Sequence, residues 1–130
     1  MSYPNISKDE YIEALKYVRD KHHISGDHSY IQLIRAHGAA ENSRITMTQL
    51  ADELGYENFN AANLHYGKYA HLIANALNFQ PQTGKDGNPI WWMTLASGEP
   101  GVDLSSNGHF EIQMHPELLN ALKHMRWVRS

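Results

Sequence analysis

The chain changes character once, near Phe79, and that break limits it to an architecture with its helices first. Before the break, apolar residues recur at spacings of three and four; after it, Pro81, Gly84, Gly87 and Pro89 punctuate QPQTGKDGNP and strand-forming residues follow. Ser7 followed by Glu10 fits a capping box, and Tyr11, Ile12, Leu15 and Val18 predict a first helix running to about Lys21. Asp27 or Ser29 can cap a short second helix carrying Tyr30, Leu33 and Ile34, with Gly38 as a left-handed stop. In TMTQLADELG, Thr46 or Thr48 caps a third helix, Leu50, Ala51 and Leu54 face inward, and Gly55 ends it. The fourth and longest covers FNAANLHYGKYAHLIANALNF, with Ala62, Tyr66, Tyr69, Ile73 and Leu77 on its apolar stripe. Gly67 inside it costs roughly 1 kcal/mol relative to Ala, which leaves close backbone packing, a local bend or no role as its readings.

Beyond the break, IWWMTLAS reads as a strand and His109 to Met114 as a second, with a period of two. The connection GEPGVDLSSNG makes them a long-looped antiparallel ribbon. Trp91 and Trp92 are adjacent, so on a strand one faces the core and the other the surface or an interface. Pro116 opens a closing helix with Leu118, Leu119 and Leu122 on one face and a basic end in Lys123, Arg126 and Arg129. The expected class is α+β, a helical N-terminal half containing a helix-turn-helix, then a β-ribbon and a C-terminal helix, in one domain spanning residues 1–130.

Several chemistries are excluded by composition. The chain has no cysteine, hence no disulfide, thiolate nucleophile or cysteine-held metal. None of its nine histidines pairs with another at i, i+3 or i, i+4, so no metal site and no cofactor is expected. TGKDG lacks the spacing of a phosphate loop, and no nucleophile elbow or carboxylate pair stands in context, so no catalytic residues are assigned and the chain is read as a non-enzyme. MSYPNISKDE lacks the apolar run of a signal peptide, and no stretch reaches the roughly 20 apolar residues of a membrane span. A cytoplasmic chain with no membrane partner is the expectation.

Eleven Lys and Arg against fourteen Asp and Glu leave a net charge of −3, so any affinity for nucleic acid must be local. The third and fourth helices around Tyr56 have the outline of a helix-turn-helix. Residues 58–85 contain no Asp or Glu and include Lys68, Lys85, His65 and His71. Asn58, Asn60 and Asn63 cluster where amides can bond base edges; Asn58 or Asn60 serves equally as the N-cap, which leaves Asn63 as the base contact. Phe59, Ala61 and Ala62 make the same tip apolar, with a hydrophobic staple as the alternative for Phe59. Arg35, His37 and Arg44 stand next in the chain to the motif as phosphate clamps, although Arg44 can instead pair with Glu41 or Asp52. Tyr66 and Tyr69 read as packing residues with outward hydroxyls, and Tyr66 joins the DNA-facing candidates through that group.

TMTQLADELGYENFNAANLHYGKYAHLIANAL resembles the N-terminal DNA-reading domains of HNH restriction endonucleases that attack modified DNA, including their sulfur-binding domains. The words that carry the likeness are the LA-x-x-LGY turn and the AANLHYGKYA helix; the Trp-containing strand and PELLNAL match more loosely. The resemblance implies a winged-helix-like domain docked on duplex DNA, with Phe59, Ala61 and Ala62 walling a pocket for a phosphorothioate sulfur. Arg35, His37 and Lys68 would hold the surrounding charge. The chain departs from those enzymes in carrying no HNH nuclease.

The resulting expectation is a non-catalytic module for double-stranded DNA, modified DNA above all, to which a homodimeric state and a separate nuclease subunit are compatible additions. Two alternatives stand beside it. One is a helix-turn-helix regulator of unmodified DNA; the other is a protein-interaction subunit of a defence system, meeting its partner through the Trp91/Trp92 ribbon and the histidine-rich loop that carries His22, His23 and His28.

Overall fold

The computed structural model describes residues 5–98 and 110–129. Helix α1, Lys8–Lys21, starts from a reciprocal capping box: the Ser7 hydroxyl accepts the Glu10 N–H at 3.1 Å and the Glu10 carboxylate accepts the Ser7 N–H at 3.0 Å. Helix α2, Ser29–Ala39, is capped by neither Asp27 nor Ser29. His28 Nδ1 accepts the Tyr30 N–H at 3.0 Å, while Asp27 takes the Ser25 hydroxyl. Gly38 is not a left-handed stop but an interior helical residue. A Cβ there would lie 3.0 Å from Leu122 and 3.1 Å from Val128, so its bareness lets α2 approach the C-terminal segment.

Strand β1, Arg44–Thr46, runs directly into helix α3, Met47–Leu54. Thr46 caps that helix, its hydroxyl accepting the Gln49 N–H at 3.0 Å while the Gln49 side chain returns to Thr46 N–H at 2.9 Å. Gly55, at φ +79, closes α3 in the left-handed region where only glycine is unstrained. Asn58 then caps helix α4, Phe59–Leu77, accepting the Ala61 N–H at 3.0 Å, and Asn78 ends it at φ +54. Nothing lies within 4 Å of a Cβ built on Gly67, so close internal packing is not its role.

The expected strand IWWMTLAS is mostly not one. Trp91–Thr94 form a turn of 3-10 helix, and only Ala96–Ser97 pair, as β2. Packing outweighs the β-propensity of this segment. Trp92 enters the core, Trp91 lies flat on His71 of α4 with ring centroids 3.8 Å apart, and the Tyr11 hydroxyl donates to the Thr94 carbonyl at 2.8 Å. The two indoles therefore part between core and α4, not across a sheet. Strand β3, Glu111–Met114, is shorter than expected; His109 and most of the connection lie outside the described residues. Helix α5, Pro116–His124, follows, with proline in its first turn.

The sheet has the order β1-β3-β2 and is antiparallel throughout, with Ile45 opposite Ile112 and Ala96 opposite Met114. The ribbon β2–β3 is thus present, with β1 added on its other side. Helix α4 runs through the middle of the molecule, packed on α1, α3 and the 3-10 turn, while α1 also covers α5. Tyr11, Leu15, Leu33, Ile34, Leu50, Tyr66, Ile73, Leu95 and Ile112 are completely buried in one core. Among the described residues no helix is long and apolar enough to cross a membrane.

Candidate nucleic-acid interface

Helix α4 has two faces of opposite chemistry. Ala62, Tyr66, Tyr69, Ala70, Ile73 and Ala74 are buried, which leaves Asn60, Leu64, Lys68, His71 and Asn75 along the exposed side at helical spacing. No carboxylate falls on either face, because residues 58–85 contain none. The Gly55 turn sets this helix after α3, giving the two-helix outline the sequence predicts.

The sequence-derived candidates divide among four environments. At the tip of α4, Asn58 and Asn60 are exposed and Phe59, Ala61 and Asn63 half-buried. Asn58 is the N-cap: its side-chain oxygen accepts the Ala61 N–H, which fixes the side chain at the helix end with its amide donors turned to other partners. Phe59 packs against the core from one side. Ala62, expected as a pocket wall, is fully buried beneath the helix and no ligand can touch it. Lys68 is exposed two turns further along the same helix.

His37 and Tyr66 form the second environment, and it is internal. Both are fully buried, which removes His37 as a phosphate clamp and turns the Tyr66 hydroxyl inward, not outward. His37 Nε2 lies 3.2 Å from the Ile112 carbonyl, which can only accept, so Nε2 carries the proton; Nδ1, 2.9 Å from the Tyr66 hydroxyl, accepts. This single imidazole joins α2, α4 and β3. Burial lowers its pKa to about 4, against the opposing pull of its hydrogen bonds with the Ile112 and Ser43 backbone. Burial likewise raises the Tyr66 phenol well above its ordinary value, so both groups are neutral at pH 7.

Arg44 and Arg35 occupy two different grooves. Arg44 is exposed in a cleft shared with Glu41, Asp52, Glu53 and Glu111, an acidic surrounding that opposes phosphate rather than clamping it. Arg35 lies in a groove with Lys123, Arg126 and Arg129, its Nε donating to the Trp127 carbonyl at 2.8 Å. The site residues thus do not form one constellation.

Leu64 is the functional candidate that sequence reasoning passes over. It is 56% exposed, between Asn60 and Lys68 at steps of four, and that spacing on a polar face was its available signal. Tyr56 and His65 add a stacked pair at 5.1 Å on the flank of α4, with the Tyr30 ring edge-on to His65. Among the described residues no three His, Asp or Glu side chains converge as a metal site. Compared with known protein families, curated proteins and solved structures, the chain matches none.

Proposed function

We propose that this protein is a non-catalytic module that binds duplex DNA with α4 as its reading helix. The observation that carries the proposal is the stripe Asn60, Leu64, Lys68 and His71, exposed on the second of the two helices that follow one another across the Gly55 turn and free of carboxylates in a chain that is acidic overall. Asn60 and Asn63 offer amides suited to an adenine edge, Lys68 a charge for a phosphate, and Leu64 an apolar contact. The bare backbone at Gly67 allows close approach to that stripe.

The order of elements supports a winged-helix reading: helix, short strand, helix, reading helix, then two strands with the last in the centre of the sheet. In this reading the wing corresponds to the connection between β2 and β3, most of which lies outside the described residues.

The finer reading is modified DNA. An exposed leucine flanked by an amide and a cation favours a group larger and less hydrated than a phosphate oxygen, such as a phosphorothioate sulfur or a base methyl. With Ala62 buried, the apolar surface for it comes from Leu64 and the exposed parts of Phe59 and Ala61.

The test is a titration of one duplex prepared unmodified, phosphorothioated at one position and cytosine-methylated, at two salt concentrations. Salt-sensitive binding that Asn60→Ala/Lys68→Ala abolishes supports α4 as the reader, and a preference for one modified duplex that Leu64→Gln erases supports the finer reading. Absence of binding at low salt, or binding indifferent to both variants, overturns it.

A further inference from the structure

We infer that the groove between α2 and the segment following α5 is a binding site for single-stranded nucleic acid. The inference is independent of the reading of α4. Four of the eleven Lys and Arg residues of an acidic chain, Arg35, Lys123, Arg126 and Arg129, line this one groove of about 1500 Å³, against a single carboxylate, Glu53. Among the described residues the ion pair is Arg19 with Asp20, so none of these four cations is neutralised by a carboxylate. Four like charges gathered around one carboxylate repel one another, and a polyanion relieves that repulsion while releasing its own condensed counterions.

The groove is built, not incidental. Gly38 lets Val128 and Leu122 close onto α2, and the Trp127 N–H bonds to the Leu122 carbonyl at 2.9 Å. Between them Arg126 sits at φ +61, a left-handed conformation unfavourable for a residue with a side chain, and this reverses the chain so that Trp127 returns to α2. The Trp127 carbonyl then receives the Arg35 Nε–H at 2.8 Å, which fixes that guanidinium while leaving its terminal nitrogens for a phosphate. Trp127 itself is half-buried in the wall, so the groove combines cations with an aromatic surface on which a base can stack.

A single strand suits this wall better than a duplex does. Its bases are free to lie on the exposed part of the Trp127 indole, whereas those of a duplex are already stacked on one another. An acidic peptide would satisfy the charges but gives the indole no base to stack on.

The deciding experiment is fluorescence anisotropy of a short labelled oligothymidine with the full chain at two salt concentrations, beside a labelled polyglutamate of equal charge. Oligothymidine should bind in a salt-sensitive manner and more tightly than polyglutamate. The variant Lys123→Ala/Arg126→Asn should weaken it roughly tenfold, asparagine being chosen because it tolerates the left-handed backbone at 126. Asn60→Ala/Lys68→Ala should leave oligothymidine binding intact whatever it does to duplex binding, so failure here and failure of the α4 reading are separable. No binding of oligothymidine, equal binding of polyglutamate, or loss only with the α4 variant overturns the inference. Circular dichroism of each variant separates lost binding from lost fold.

Discussion

The two faces of α4 use similar residue types to opposite ends. On the inner face, Tyr66 meets His37 in complete burial, and both hydrogen-bonding positions of the imidazole are filled. On the outer face, His71 lies exposed on Trp91, and Asn60 and Lys68 reach solvent. The lesson is that a histidine or tyrosine in this chain takes its role from which side of the helix it occupies, and burial turns a candidate ligand into a tie between elements.

Tyr66→Ala should break that contrast most severely. It removes a fully buried ring and leaves His37 Nδ1 without its donor, so a loss of about 4 kcal/mol is expected in denaturant titration. A value close to that of an outer-face substitution would mean the inner face is not packed as described.

Acidification should act next most strongly. Folded His37 has its pKa lowered to about 4, below the ordinary value of 6.5, so as pH falls from 6.5 toward 4 the unfolded chain takes up a proton that the native imidazole refuses. The stabilising contribution is complete above pH 6.5 and lost toward pH 4, amounting to about 3 kcal/mol. The His115 pKa is lowered in the same direction, also by burial, and adds to the slope. Denaturation midpoints across this range should show it, and His37→Gln should flatten the curve. An unchanged slope in that variant would remove His37 as the cause.

Smaller effects sharpen the outer side. Gly67→Ala should stabilise the protein by up to about 1 kcal/mol, since the added methyl meets open space and α4 gains helix propensity. If α4 docks closely on DNA, the same variant should weaken binding while raising the melting temperature, a combination that packing alone would not produce. Leu64→Gln should leave stability within about 0.5 kcal/mol, and its effect is to be read in DNA titrations alone.

What the sequence discloses here is local. Ser7 with Glu10 and Gly55 are signals contained within a few residues, and they place the start of α1 and the end of α3; Thr46 and Asn58 each stand as one of two cap candidates until the structure selects them. The three-residue strand β1 carries no such signal, because its partner Ile112 stands far along the chain. The stretch from Ile90 to Ser97 reads as a strand from its aromatic and β-branched residues, yet burial of Trp92 and the His71–Trp91 stack curl most of it into a helical turn. For the candidate sites the same limit holds. The acid-free segment that forms the outer face of α4 is legible in one dimension, whereas the His37–Tyr66 pair and the grouping of Arg35 with Lys123, Arg126 and Arg129 exist only after the chain has folded back.

The central place of β3 also dictates when this protein can become native. Strand β3 pairs with β1 through Glu111, Ile112 and Gln113 and with β2 through Gln113 and Met114, and Ile112 supplies the acceptor for His37. A chain emerging from a ribosome therefore exposes α1 through α4 well before the strand that joins them exists, with Ile45 unpaired and one end of the imidazole bridge unmet. The early helices can form and associate, but their register awaits a contact of long sequence separation, which is slow to close. Its vulnerable interval is the time spent waiting for four residues.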